Sequence, residues 1–219
     1  MRSAARLGLM AVVFLGGCGA ESKRRGLGKS QPGAATSAIG TALSADERAI
    51  IERRNWNERV GARLGLWVRV GRQELVGVVA GRAVFRYRCS TALRGVGKCG
   101  GSRQTPLGWH VIAERIGAGL PSGAVLRDRQ FSGAVWTPQA SMTGDLVLSR
   151  VLWLRGVDPW ENAGPGIGSH DRYIYIHGTG AEGRLGTAAS AGCVRLSNRD
   201  VIALFEQVET GTMVLITAE

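Results

Sequence analysis

The sequence has few residues that bind transition metals, and these residues are not spaced as ligand pairs. It contains four cysteines and three histidines in 219 residues. No C-x-x-C or similar pair occurs, although such pairs are typical of structural zinc sites. We therefore expect no metal site. The residues concerned are Cys18, Cys89, Cys99, Cys193, His110, His170 and His177.

Long apolar runs are also missing. The run at residues 7–15 is too short to cross a bilayer, which needs about 20 apolar residues. It follows Arg2 and Arg6, so residues 1–17 are predicted to form a signal peptide. No other stretch is long and apolar enough to span a membrane. The remainder of the chain is therefore expected to be soluble in the cell envelope.

The end of this segment, Leu15-Gly16-Gly17-Cys18, resembles a bacterial lipobox. Cys18 would then be the lipidated first residue of the mature protein. Gly19, in place of aspartate, favours the outer membrane over the inner membrane as the site of anchoring. We therefore expect a periplasmic, lipid-anchored protein. An ordinary secretory signal with an incidental cysteine is the alternative.

Acidic residues are scarce relative to basic ones, with 17 Asp and Glu against 28 Lys and Arg. Removal of Arg2 and Arg6 with the signal peptide lowers the net charge from +11 to +9. A basic surface favours anionic partners. In the envelope these are peptidoglycan stem-peptide carboxylates and phosphorylated lipids, and we expect no nucleic-acid partner. Arginines that simply solvate the surface also account for part of the charge.

The sequence shows no internal repeat and divides into four segments. Residues 18–42 are rich in small and basic residues and are predicted to be a flexible tether after the signal peptide. Residues 43–65 are predicted to hold an accessory helix, since Ser44 and Glu47 have the spacing of a capping box. Residues 66–219 are predicted to form one domain.

The last segment is predicted to be mainly β, with one late amphipathic helix at residues 198–209. Val201, Leu204, Phe205 and Val208 recur there at helical spacing. Short β-type runs separated by glycines fill the rest of the segment. The predicted strands are residues 66–70, 74–80, 83–87, 109–113, 146–154, 173–177 and 213–216.

Cys89 and Cys99 flank a glycine-rich segment and are close enough in sequence for a disulfide to close a short loop. Such a bond would stabilise an exported protein by roughly 2–3 kcal/mol. Cys193 would then be the odd cysteine, and an odd cysteine in an exported protein is a candidate reactive thiol. The alternative is that all three are buried and free.

His177 and Cys193 form the best candidate for chemistry. His177 ends the strand-like run 173–176, and Cys193 follows Gly192 in a glycine-rich stretch. A thiol attacks as thiolate, with a free pKa of about 8.5, and a nearby imidazole can take its proton. Gly192 leaves room beside the sulfur, and the amides of Gly192 and Cys193 could face a developing oxyanion. A structural histidine and a buried core cysteine are the alternative.

Two further polar residues lie within the cysteine stretch. If the segment is extended, Arg195 leaves on the same face as Cys193. It could stabilise the thiolate or bind a substrate carboxylate, whose geometry matches a guanidinium. Ser190 could hydrogen-bond within the turn. The alternatives are a surface arginine and an ordinary loop serine.

These stretches resemble the L,D-transpeptidase catalytic domain, the YkuD family, over about residues 66–217. That family has a His-Gly-Thr element followed by Ser-His-Gly-Cys-(aliphatic)-Arg or a near variant. Ala191 departs from this pattern, since the family often has a second histidine there. The matching stretches are Thr105-Pro106-Leu107-Gly108-Trp109, His177-Gly178-Thr179 and Ser190-Ala191-Gly192-Cys193-Val194-Arg195-Leu196.

The resemblance implies a β-sandwich of mixed sheets and a cofactor-free enzyme that cuts stem peptides between the L-centre of diaminopimelate and D-alanine. Cys193 would be the nucleophile and His177 the base, with the Gly178 carbonyl orienting the imidazole. Arg195, Asn162 and Tyr175 are the candidate substrate contacts.

The resemblance leaves the acyl acceptor open. An amine of a second stem peptide or of a lipoprotein would make the chain a transpeptidase. Water would make it an L,D-carboxypeptidase. A basic lipoprotein that binds peptidoglycan without chemistry is the non-enzymatic alternative.

Overall fold

The computed structural model describes residues 40–139 and 144–219. The predicted signal peptide, Cys18 and residues 18–39 of the predicted tether lie outside the described residues. Within the described part of the chain, no helix has the length and apolar character needed to cross a membrane.

The described residues form eleven strands and three α-helices. In chain order they are β1 (Thr41–Ala42), α1 (Ala45–Glu52), α2 (Trp56–Arg59), β2 (Gly65–Arg69), β3 (Glu74–Val79), β4 (Arg82–Arg88), β5 (Gly108–Ile116), β6 (Ala124–Arg127), β7 (Gln130–Val135), β8 (Val147–Gly156), β9 (Tyr175–Gly178), β10 (Val194–Leu196), α3 (Asn198–Gln207) and β11 (Met213–Thr217).

Hydrogen bonds join these strands into one mixed sheet, in the order β1-β4-β3-β2-β11-β5-β8-β6-β7. Strand β9 pairs with β8, and β10 pairs with β9. The β2–β11 and β9–β10 pairs are parallel. The prediction of a mainly β fold with mixed pairing and a late helix is confirmed, and each of the seven predicted strands is present with shifted ends.

The largest core cluster lies between the sheet and α3. The helix begins after Ser197, whose hydroxyl accepts a hydrogen bond from the Asp200 amide. Its apolar side buries Val201, Leu204 and Phe205 against the sheet. Because α3 contacts β8 and β9, it supports the strand that carries His177.

Residues 43–65, which were predicted to hold an accessory helix, pack against the sheet and do not form a single helix. The predicted capping box is present, since Glu47 N donates to Ser44 Oγ and Ser44 N donates to Glu47 Oε2. The helix ends after Glu52, and Asn55 has a left-handed backbone (φ 57°) before α2 starts. Trp56 is 1% exposed and packs in a second core cluster with Trp67 and Trp109. We therefore assign α1 and α2 to the same compact unit as the sheet that they cover.

The hairpin of β6 and β7 was not predicted from the sequence. Its two-residue turn consists of Asp128 and Arg129, both at positive φ (46° and 67°). Turns of this kind usually contain Asn-Gly or Asp-Gly. Because an arginine occupies the second position, the sequence pattern did not indicate this turn.

The predicted disulfide between Cys89 and Cys99 is wrong, because both thiols are free. Cys89 is fully buried in the main core, after the end of β4. Cys99 is exposed, on a loop whose carbonyls at Gly97 and Lys98 accept hydrogen bonds from Arg172. Cys193 is therefore not the odd cysteine left over by a disulfide.

Candidate active site

The parallel pairing of β9 and β10 brings the two candidate catalytic residues together. Its register aligns Val194 with Ile176 and Arg195 with His177. Cys193 immediately precedes β10 and is therefore level with Tyr175. Since strand side chains alternate between faces, Cys193 and His177 are diagonal neighbours on the same face of the sheet.

The Cys193 side chain is half-buried at the edge of β9. Its sulfur accepts a hydrogen bond from the Tyr175 amide at 3.4 Å and donates to the Tyr173 carbonyl at the same distance. These backbone contacts hold the sulfur against the strand that ends in His177.

The turn before the cysteine is held by Ser190. The Ser190 hydroxyl donates to the Cys193 carbonyl at 2.6 Å and accepts from the Gly192 amide at 3.2 Å. The Gly192 amide is thereby occupied, so the expectation that it faces a developing oxyanion is wrong for this conformation. These two bonds agree with the predicted turn role of Ser190.

The backbone conformation at position 192 requires a glycine. Gly192 has φ +134°, and a Cβ there would meet Ile174 Cδ1 at 3.3 Å. The buried Thr105 hydroxyl fixes the Gly192 carbonyl with a 2.9 Å hydrogen bond. Thr105 therefore links the upstream Thr-Pro stretch to the cysteine turn.

His177 lies at the buried end of β9, with 1% of its surface exposed. Its Nδ1 atom is 2.8 Å from the Gly178 carbonyl, which agrees with the expectation that this carbonyl orients the ring. If Nδ1 carries the proton and donates it to that oxygen, Nε2 is the basic nitrogen.

A buried polar group packs directly behind Gly178. A Cβ on Gly178 would meet Asn198 Oδ1 at 2.7 Å, so only glycine fits there. Asn198 Oδ1 accepts from the Ser149 hydroxyl at 2.6 Å, and Asn198 Nδ2 donates to the Thr179 carbonyl at 3.0 Å. These contacts connect the start of α3 to the turn that follows His177.

Burial favours the neutral forms of both reactive groups. Burial, and then the Asp145 carboxylate, raises the pKa of Cys193 to about 11, against the Tyr175 amide, Arg195 and Arg172. Burial lowers the pKa of His177, against the Gly178 hydrogen bond and Asp145. Because Asp145 and Arg195 act on both groups, the thiol and the imidazole share one charged environment.

Arg195 is already paired within the protein. Its side chain is 7% exposed and forms a salt bridge with Asp145. It lies on the Cys193 face, as expected, and its charge lowers the pKa of the thiol. The expectation that it binds a substrate carboxylate is not supported, since the guanidinium is buried and its Nη2 is paired with Asp145.

A cleft of about 340 Å³ lies beside the cysteine. Tyr173 and Tyr175, whose backbones contact the sulfur, both line this cleft. The expectation that Tyr175 faces substrate stays a prediction, and its place in the cleft agrees with it. The other lining residues are Leu126, Asp128, Arg129, Val147 and Val151.

Asn162 is not placed to contact a substrate. It is fully buried, and its amide donates to the carbonyls of Leu107 and Trp109. Its Oδ1 accepts from the Asp158 amide at 3.0 Å. Asn162 therefore stabilises the loop after β8, and its candidate role as a substrate contact is wrong.

Several residues of the site carried no sequence signal. Asp145 and Arg129 lie in a loop and a turn without motifs, and Ser149 sits at positive φ (65°) beside a β-bulge. Only the tertiary fold brings Asp145 to Cys193 and His177, Ser149 to Asn198 and Arg129 to the cleft. In residues 40–139 and 144–219, no three His, Cys, Asp or Glu side chains are grouped so that they could hold a metal ion.

The strand pairing, the cysteine turn and the position of His177 bring a thiol and an imidazole to one face of the sheet. A family model described as the L,D-transpeptidase catalytic domain, YkuD, matches residues 64–216. The chain belongs to this family.

Curated relatives carry the same description. The chain is 36% identical over 126 residues to "Probable L,D-transpeptidase YbiS" of Escherichia coli strain K12, covering 55% of this chain and 35% of that protein. It is 33% identical over 128 residues to "Probable L,D-transpeptidase ErfK/SrfK" of Salmonella typhimurium, covering 56% of this chain and 35% of that protein. The matches span about a third of the length of these relatives.

Among solved structures, the chain is similar to "L,D-transpeptidase from Mycobacterium smegmatis". The TM-score is 0.44 at 15% identity, over 72% of this chain and 60% of that one.

Proposed function

We propose that this protein is a peptidoglycan L,D-transpeptidase in which Cys193 is the nucleophile and His177 the base. The observation that carries the proposal is the parallel pairing that sets both residues on one face, beside a cleft, under the shared influence of Asp145 and Arg195. Membership of the family supplies the reaction class.

In the proposed reaction, the Cys193 thiol transfers its proton to His177 as the sulfur attacks the L-centre carbonyl of diaminopimelate. The bond to D-alanine breaks, and His177 returns the proton to the leaving amine. A thioester on Cys193 remains. An amine of a second stem peptide or of a lipoprotein then displaces the sulfur and takes the acyl group, and the proton that this amine loses passes through His177 to the Cys193 sulfur. The Cys193 amide is the candidate oxyanion donor, because the Gly192 amide is occupied.

This proposal includes a place in the envelope. Cys18 would carry lipid and anchor the domain to a membrane, with the outer membrane favoured. The basic charge of the chain agrees with a polyanionic partner such as the cell wall.

Muropeptide analysis of cells that express wild type or Cys193→Ala tests the proposal. Wild type should add new crosslinks or attached protein, and Cys193→Ala should add none while accumulating to the same level. Trimmed tripeptides with no crosslinks would identify water as the acceptor and a carboxypeptidase instead. No difference between the two strains would contradict both enzyme activities.

A thiol-reactive carbapenem separates the enzyme from a protein that only binds peptidoglycan. The family resemblance implies an adduct on Cys193. A binding protein without chemistry should give no covalent adduct, and Cys193→Ala is the matched control.

A further inference from the structure

Arg129 is held over the cleft by aromatic rings. Its guanidinium carbon lies 4.9 Å from the Trp153 ring centre and 5.3 Å from that of Tyr173. Such cation–π contacts fix an arginine in place without neutralising its charge. The short β6–β7 turn places the backbone of Arg129 at the rim.

This guanidinium shares a cleft with two residues that contact the nucleophile. Tyr173 and Tyr175 contact the Cys193 sulfur through their backbones, and their side chains face the same cleft as Arg129. Tyr175 also raises the pKa of Arg129, which agrees with a close approach of the two side chains. A ligand that reaches from Cys193 into this cleft would therefore come within reach of Arg129.

Arg129 has no acidic partner among the described residues, within the 4.0 Å that defines a salt bridge. The neighbouring Asp128 lines the same cleft but does not pair with it. Arg195, by contrast, is buried and bound to Asp145. Of these two arginines, Arg129 is therefore the one with its charge available to a ligand.

We propose that Arg129 is a specificity-determining residue that binds a carboxylate of the donor stem peptide. A planar guanidinium fixed by stacking matches a carboxylate with two parallel hydrogen bonds. This inference rests on the proposed function. It names the contact that would orient the donor in the cleft beside Cys193.

Three donor carboxylates could supply this contact: the terminal carboxylate of D-alanine, the D-centre carboxylate of diaminopimelate and the α-carboxylate of the γ-linked D-glutamate. Steady-state kinetics would compare the free tetrapeptide with three analogues, each amidated at one of these groups. The proteins are wild type, Arg129→Gln and Arg129→Lys. Arg127→Ala is the control, because it removes an exposed arginine from the same hairpin outside the cleft.

Arg129→Gln should lower kcat/KM for the free peptide by about tenfold, mainly through KM, as expected for one charge-assisted contact. Arg129→Lys should recover part of this loss, and Arg127→Ala should behave as wild type. Amidation of the bound carboxylate should lower wild-type kcat/KM by a similar factor. Arg129→Gln should cause no further loss with that analogue.

Equal losses on the free peptide and on all three amides would indicate a structural role for Arg129 and overturn the inference. An unchanged kcat/KM in Arg129→Gln would overturn it as well. Either result, with wild-type turnover that is absent in Cys193→Ala, would leave the proposed function standing. Wild-type protein that does not turn over the peptide at all would reject both.

Discussion

Cys193 has a thiol that its surroundings keep protonated at neutral pH. Burial and the Asp145 carboxylate raise its pKa to about 11, and burial lowers the pKa of His177. The resting pair is therefore a thiol and a neutral imidazole, so proton transfer accompanies attack. Iodoacetamide modification of Cys193, followed by peptide mass spectrometry, should accelerate with pH beyond pH 9. A rate that levels off near pH 6 would indicate a preformed thiolate–imidazolium pair.

The Asp145 carboxylate raises the pKa of Cys193 and forms a salt bridge with Arg195. Asp145→Asn removes a nearby negative charge and releases the positive charge of Arg195, and both changes lower the pKa of Cys193. We predict faster iodoacetamide modification of Cys193 at pH 8 than in wild type. Asp171→Asn, at a side chain that is 82% exposed, is the control. An unchanged rate in Asp145→Asn would show that Asp145 does not control the thiol.

At the level of elements, the N-terminal helices stabilise the sheet. Trp56 is buried beside Trp109, with ring centres 5.4 Å apart. Trp56→Ala should lower the free energy of unfolding by about 3–5 kcal/mol, because it leaves a large cavity. Urea denaturation measures the change, with the exposed neighbour Asn57→Ala as control. Equal stability of the two variants would show that α2 is only loosely attached.

Strand β5 buries His110 between the Gly108 carbonyl and the Ser169 hydroxyl. Burial lowers its pKa to about 4, so the unfolded chain binds a proton near pH 6.5 that the folded chain resists. Stability should therefore be complete above pH 6.5 and fall towards pH 4, by roughly 3 kcal/mol from this group.

Urea denaturation between pH 4 and pH 8 would measure this dependence. His110→Gln should reduce the loss of stability at low pH. His177 contributes in the same direction, because its pKa is also lowered, so part of the loss should remain. A pH dependence identical to that of wild type would contradict the role of His110.

For the whole molecule, local patterns predicted much of the fold. Alternation and helical spacing located α3 and most strands, and the capping box located the start of α1. The break between α1 and α2 was not predicted; Asn55 adopts a left-handed backbone there. The β6–β7 hairpin was missed because Arg129 occupies a turn position that usually holds glycine.

Local sequence patterns also predicted part of the site. The motifs supplied Cys193 and His177. The pairing of Asp145 with Arg195 depends on contacts between distant segments, so the sequence could not reveal that Arg195 is occupied. Asn162 was misassigned because an asparagine in a loop looks the same in sequence whether it binds ligand or satisfies buried carbonyls.

Intact-protein mass spectrometry of the enzyme mixed with a stem tetrapeptide tests the central claim most directly. Wild type should gain the mass of the donor acyl group on Cys193 and release one D-alanine per acyl-enzyme formed. Cys193→Ala should do neither while remaining folded. Release of D-alanine by Cys193→Ala at the wild-type rate, or an adduct on another residue, would contradict the account.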